Sequence, residues 1–191
     1  MNNRASAITI AAVLLVLGLH SAAPAFQNRD HLTPQEVDLV KDTQVLDKRI
    51  EVFIKATERR LVVLTGTPGS SAKQLKKDAE KWGELPSGNP GELVSDIAHI
   101  LDEAITNIDD VAARDEKNPL IPKALRRLAA AATHIVGQVR PLSAKASTAS
   151  ETNSFDQLME NADAIVQAAN RLPPEVAKKG KSKEEKPKTT N

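Results

Sequence analysis

Between Leu32 and Leu64 the apolar positions recur at helical spacing. Val40, Ile50, Phe53, Ile54, Thr57, Leu61 and Leu64, with Leu46 in phase, fall near one stripe, and charged side chains take most of the remaining positions. A start signal precedes the run. Thr33 is an N-cap residue, Pro34 occupies the first helical position where a missing N–H costs nothing, and Glu36 closes a capping box. Leu32 and Val37 are placed to form the hydrophobic staple around that cap. The pattern predicts one unbroken helix over about 34–64, roughly 45 Å long at about 1.5 Å per residue, suited to the spine of a bundle.

"TGTPGS", Thr65 to Ser70, ends this helix because its glycines and proline suit no helix interior. A short lysine-rich helix follows, with Ala72, Leu75, Ala79 and Trp82 on one stripe and Gly83 as its stop. The large indole of Trp82 is the group expected to pin it down. After a loop from Glu84 to Gly91, a helix over about 92–114 turns Val94, Ile97, Leu101, Ala104, Ile108 and Val111 inward, leaving Asp96, Glu103, Asp109 and Asp110 largely outside that face. "DEKNPLIP" breaks it. The next helix, about 122–140, uses Leu125, Leu128, Ala132, Ile135 and Val139, and its "AAAA" run permits a close neighbour. Residues 141–154 read as a linker, after which Ser154 and Gln157 form a second capping box for a last helix built on Phe155 or Leu158, Ala162, Ile165 and Ala169. The fold class expected is all-α, an antiparallel up-and-down bundle of three or four long helices plus one short helix.

The first residues change the picture of where such a bundle works. Arg4 precedes an uncharged stretch from Ala5 to Gln27, with a dense apolar run from Ala7 to Leu19, and Ala23 and Ala25 supply small residues before Phe26. This is the layout of a secretory signal peptide cleaved after Ala25, and it implies a periplasmic or secreted mature chain; an uncleaved membrane anchor is the alternative. The expected organisation is a signal segment over 1–25, a bundle domain over 26–173 and a disordered lysine-rich tail over 174–191. With no membrane span expected in the mature chain and no cysteine anywhere, stability must come from a core, and thiolate zinc sites and thiol chemistry are excluded.

Charge is balanced after residue 25, at 25 basic against 25 acidic side chains. The balance hides an uneven distribution. Lys178, Lys179, Lys181, Lys183, Lys186 and Lys188 stand in the tail against Glu175, Glu184 and Glu185, a basic segment able to approach a protein or an anionic surface. It contains no aromatic residue to stack on bases, so no specific nucleic-acid partner is implied.

Candidate chemistry is sparse. Asp96, His99 and Glu103 lie at helical spacing on one flank, where His134 from the following helix could complete a divalent-metal site; solvated surface charges explain the same pattern. No pair of Glu-x-x-His segments supports a di-metal centre, and no Cys-x-x-Cys-His motif attaches haem, so no cofactor is expected. Serines fall in loops without a nucleophile elbow, and "GTPGSSAK" lacks the Gly-Lys-Ser/Thr ending of a phosphate loop. Lys48, Arg49, Lys55, Arg59 and Arg60 form either a basic stripe or ordinary helix surface whose stems cover apolar flanks. "LTPQE", "DKRIEVFIKATERRL" and the later "NIDDVA" resemble a group of uncharacterised secreted bacterial helical proteins. The resemblance implies export from a Gram-negative-type cell and brings no activity or catalytic residue. A structural or protein-interaction role is the leading expectation; a metal- or small-ligand-binding bundle is the alternative.

Overall fold

The computed structural model describes residues 30–66 and 72–174. Within them every regular element is an α-helix: α1 (Pro34–Asp42), α2 (Leu46–Thr65), α3 (Ala72–Trp82), α4 (Pro90–Arg114), α5 (Leu120–Ser143) and α6 (Ala149–Asn170). The expected signal segment, residues 67–71 of the phosphate-loop-like stretch and all six tail lysines lie outside the described residues.

Four long helices form the bundle. α4 packs on α2 and α6, α5 packs on the same two helices, and α4 also touches α5. Residue pairs give their directions. Arg60 lies by Asp96 and Arg49 by Asn107, so α2 and α4 run antiparallel. Lys123 reaches Asp47 and Arg127 reaches Glu51, so α5 climbs alongside α2 in the same direction. The Arg126 guanidinium donates to the Pro173 carbonyl just beyond α6, placing the end of α6 beside the start of α5.

The core is aliphatic, as the scarcity of aromatics requires. Ile50, Phe53 and Ala56 of α2 meet Val94, Ile97, Leu101, Ala104 and Ile108 of α4, Leu125, Leu128, Ala132, Ile135 and Val139 of α5, and Phe155, Leu158, Ala162 and Ile165 of α6. These positions are the stripes that helical periodicity marks in the sequence. Ala129 and Ala132 of the alanine run are both buried, small enough to let neighbouring helices come near.

Two boundaries differ from the sequence reading. The last helix starts at Ala149 rather than Phe155, because the capping box is Thr148 with Glu151 and not Ser154 with Gln157: Thr148 Oγ1 accepts from the Glu151 amide, and Glu151 Oε2 accepts from the amides of Thr148 and Ser147. Ser154 lies a turn inside, with its hydroxyl donating to the Ser150 carbonyl. Much of the expected linker is therefore helical.

The larger difference is at residues 43–45, where the expected unbroken helix folds into a hairpin. Thr43 and Val45 adopt extended backbone angles. Thr43 Oγ1 donates to the Leu39 carbonyl at 2.7 Å, and Arg49 Nε donates to the Thr43 carbonyl at 2.7 Å, so the interrupted backbone finds side-chain partners. In a straight helix Glu36 and Arg60 would stand about 36 Å apart, at about 1.5 Å per residue. They are in contact here, which requires α1 to lie back along α2.

Candidate functional site

The contact that α1 makes is a buried ionic seam. Glu36, in the first turn of α1, is fully buried. Its Oε1 accepts from Arg59 Nε at 3.0 Å and from Arg60 Nη1 at 2.7 Å, and its Oε2 accepts from the Thr33 amide at 2.9 Å as the capping-box partner. One carboxylate thus closes a helix cap and holds two arginines. Local cap geometry explains why Glu36 stands at the start of α1; the arginines explain why it points inward.

Arg60, 1% exposed, has its head group spread over three elements. Nη1 also donates to the Ala56 carbonyl at 2.9 Å, Nη2 donates to the His31 carbonyl at 2.7 Å, and Nε stands 3.8 Å from Asp96 Oδ2. That last separation is an ion pair rather than a hydrogen bond, and Arg60 Nε has no hydrogen-bond partner. Arg59 turns the other way. Its Nη2 donates to the carbonyls of Gly83 and Glu84, and its guanidinium carbon lies 5.9 Å from the centre of the Trp82 ring, a cation–π spacing. Trp82 is buried, as its expected pinning role requires. Gly83, with φ +70°, ends α3 in the left-handed region, and a Cβ there would meet the Gln35 side chain of α1 at 3.0 Å.

Two arginines and two carboxylates make the seam formally neutral. Removing four charges from water is costly, and the mutual attraction offsets that cost only while every partner remains in place. The arrangement therefore does architectural chemistry: it fastens α1, the end of α3 and the segment after it to α2 and α4.

The residues weighed as candidate metal ligands, against a solvated-surface reading, separate. Asp96 is buried in this seam, not outside the apolar face as its position suggested. His99 is exposed on α4 with its Nδ1 3.4 Å from Ser95 Oγ, and His134 is exposed on α5. Glu103 pairs instead with His31, whose Nε2 lies 2.8 Å from Glu103 Oε2 and whose ring centre is 5.7 Å from that of His99. Among the described residues no three His, Asp or Glu side chains are grouped so as to hold a metal ion. The supposed basic stripe divides as well. Lys48 bonds Glu51, Lys55 lies 3.2 Å from Asp78, Arg49 serves the hairpin bend, and Arg59 and Arg60 are interior.

A shallow opening of about 400 Å³ lies where the N-terminal segment meets the loop before α4, lined by Asp30, Leu32, Thr33, Pro34, Arg60, Pro86 and Ser87. Elsewhere, the Asp47 carboxyl is held below its ordinary range, first by the Lys123 hydrogen bond and against the opposing effect of burial. Glu151 is lowered chiefly by the backbone and hydroxyl hydrogen bonds from Ser147. Both are structural contacts.

The seam could have been read in part from the sequence. Arg60 shares a stripe with Phe53, Thr57 and Leu64, and Asp96 shares one with Leu93 and Ile100, so each places a charge on an apolar face. A charge at such a position needs a buried partner.

Fold and seam together define a helical bundle clasped by the folded-back α1 helix through interior ion pairs. No protein-family model matches this chain, and neither a curated protein nor a solved structure matches it.

Proposed function

We propose that the chain is an exported, non-enzymatic bundle that works through contacts with a protein or an anionic surface. The observation that carries this reading is the ionic seam: Glu36, Arg59, Arg60 and Asp96, which could have served chemistry, are buried against one another across three elements. The bundle then serves as a rigid body, and its lysine-rich C-terminal segment carries the charge that an anionic partner would meet. No described helix is long and apolar enough to cross a membrane.

Expression from its own start codon in a Gram-negative host, followed by fractionation and mass measurement, tests the export half. A periplasmic chain beginning at Phe26 is the expected product, and full-length protein confined to the cytoplasm overturns it. Truncation after Pro174 tests the contact half: binding to anionic vesicles or acidic proteins should be lost with the melting temperature unchanged, whereas equal binding by the truncated chain removes the tail from the account. Ligand binding is the second reading, favoured by the Arg60-lined opening. A saturable rise in melting temperature with a small-molecule or divalent-metal panel, abolished by Ser87→Trp in the opening or His99→Ala at the imidazole cluster, would favour it.

A further inference from the structure

The bend between α1 and α2 contains neither glycine nor proline. Its residues are Thr43, Gln44 and Val45, all able to enter a helix, and Val45 is half exposed. The apolar pattern across them predicts a continuous helix. The hairpin is held locally by the Thr43 hydroxyl and Gln44 amide, which donate to the Leu39 and Lys41 carbonyls at the end of α1, and by the Arg49 bond to the Thr43 carbonyl; the docking of the α1 strap further on adds the tertiary part.

That docking surface reads only the strap. Leu32 enters the core, the His31 carbonyl and Glu36 carboxylate meet Arg60, Glu36 also meets Arg59, and the His31 ring meets Glu103. The polar partners Arg59, Arg60 and Glu103 belong to α2 and α4, and none of these bonds involves residues 43–45. A strap delivered by a second copy presents the same carboxylate to the same two arginines. Glu36 is the only fully buried residue within α1, and Leu32, Val37 and Val40 add apolar contacts with the core, so an exchanging strap carries both its charge complement and its apolar face with it.

We propose that α1 exchanges between two copies of this chain, 34–65 straightening into one helix so that Glu36 of each copy closes the Arg59–Arg60 seam of the other. Reciprocal exchange buries both straps and leaves none unpaired, which gives a closed two-fold dimer rather than an open filament. A short hinge loop is the kind of connection at which such swapping occurs. The inference stands independently of export and of any outside partner.

Two variants and one cross-link test it. Replacing Thr43, Gln44 and Val45 together by Ala raises helix propensity at each bend and should tighten the dimer about a hundredfold, about tenfold from each of two bends. Inserting Gly-Gly-Gly after Gln44 should leave monomer only. The chain has no cysteine, so His31→Cys with Glu103→Cys supplies one thiol pair across the docking contact. Joined by a short bis-maleimide, the pair links two chains in the exchanged dimer and stays within one chain in the closed monomer. Light scattering and denaturing gels then decide. A dimer with interchain linkage supports the proposal; a monomer, a dimer linked only within chains, or no linkage at all in the alanine variant overturns it. Should that variant fail to fold, wild-type bends in the cysteine background, refolded from urea at high concentration, give the same readout.

Discussion

The bundle interior and the α1 seam bury their side chains by opposite rules. In the interior, Phe53, Leu101, Leu128 and Leu158 gain from leaving water wherever they find close neighbours, and no single partner is obligatory. In the seam, Glu36, Arg59, Arg60 and Asp96 gain from particular partners, one another and a few fixed backbone groups, and Arg60 Nε shows that even the native arrangement leaves a donor unmatched. An aliphatic core degrades gradually when trimmed. An interior ionic cluster fails when one member goes.

The largest effect should follow from Glu36→Ala, which strands two arginines. A loss of about 3–5 kcal/mol in urea unfolding is expected. Amide exchange separates the regions further: α1 should lose its protection while α4, α5 and α6 keep theirs. A loss of under about 1 kcal/mol would mean that the seam adds little. Leu128→Ala in the interior should cost about 2–5 kcal/mol, according to how far neighbours close the cavity, with protection falling across the bundle and α1 still docked. If both variants gave one exchange pattern, the contrast between the regions would be lost.

Thr148→Ala removes the α6 cap and should cost about 1 kcal/mol, read as a lower urea midpoint. Acid gives a smaller and more specific effect. Asp47 and Glu151 both have lowered folded-state pKa values, so their stabilisation is present above the unfolded carboxylate range and is lost as pH falls through the folded values. Melting temperature should decline below about pH 4, and Asp47→Asn with Glu151→Gln should flatten that decline. Smallest of all, His99→Ala on the exposed face of α4 should shift stability by less than about 0.5 kcal/mol. A larger shift would give the nearby His31–Glu103 pair a structural weight that its half-exposed position does not suggest.

The same contrast governs what the sequence makes legible. Stripes such as Val94, Ile97, Leu101, Ala104 and Ile108 announce themselves because each helical turn repeats the signal, and the Thr33–Glu36 cap is complete within four residues. Glu36 with Arg60 and Arg60 with Asp96 are pairings across 24 and 36 positions, and neither repeats, so no local window contains them. The bend at 43–45 is hidden partly for the same reason: its residues tolerate a helix, and their local bonds to the Leu39 and Lys41 carbonyls form at a break that the distant docking of α1 completes. The α6 start failed differently. Thr148–Glu151 and Ser154–Gln157 both satisfy the cap spacing, and the earlier pair prevails with the added Ser147 bonds to Glu151.

The Arg126 bond to the Pro173 carbonyl fixes where the chain departs. Its location beside the beginning of α5, with Asp30 near Pro86 and Ser87 ahead of α4, sends the two extremities of the folded body toward opposite poles. The two ends of the described body are thus separated by about a bundle length, roughly 36 Å for the 24 residues of α5 at about 1.5 Å each. Groups joined to Asp30 and to Pro174 would therefore stand at opposite ends of the bundle rather than side by side.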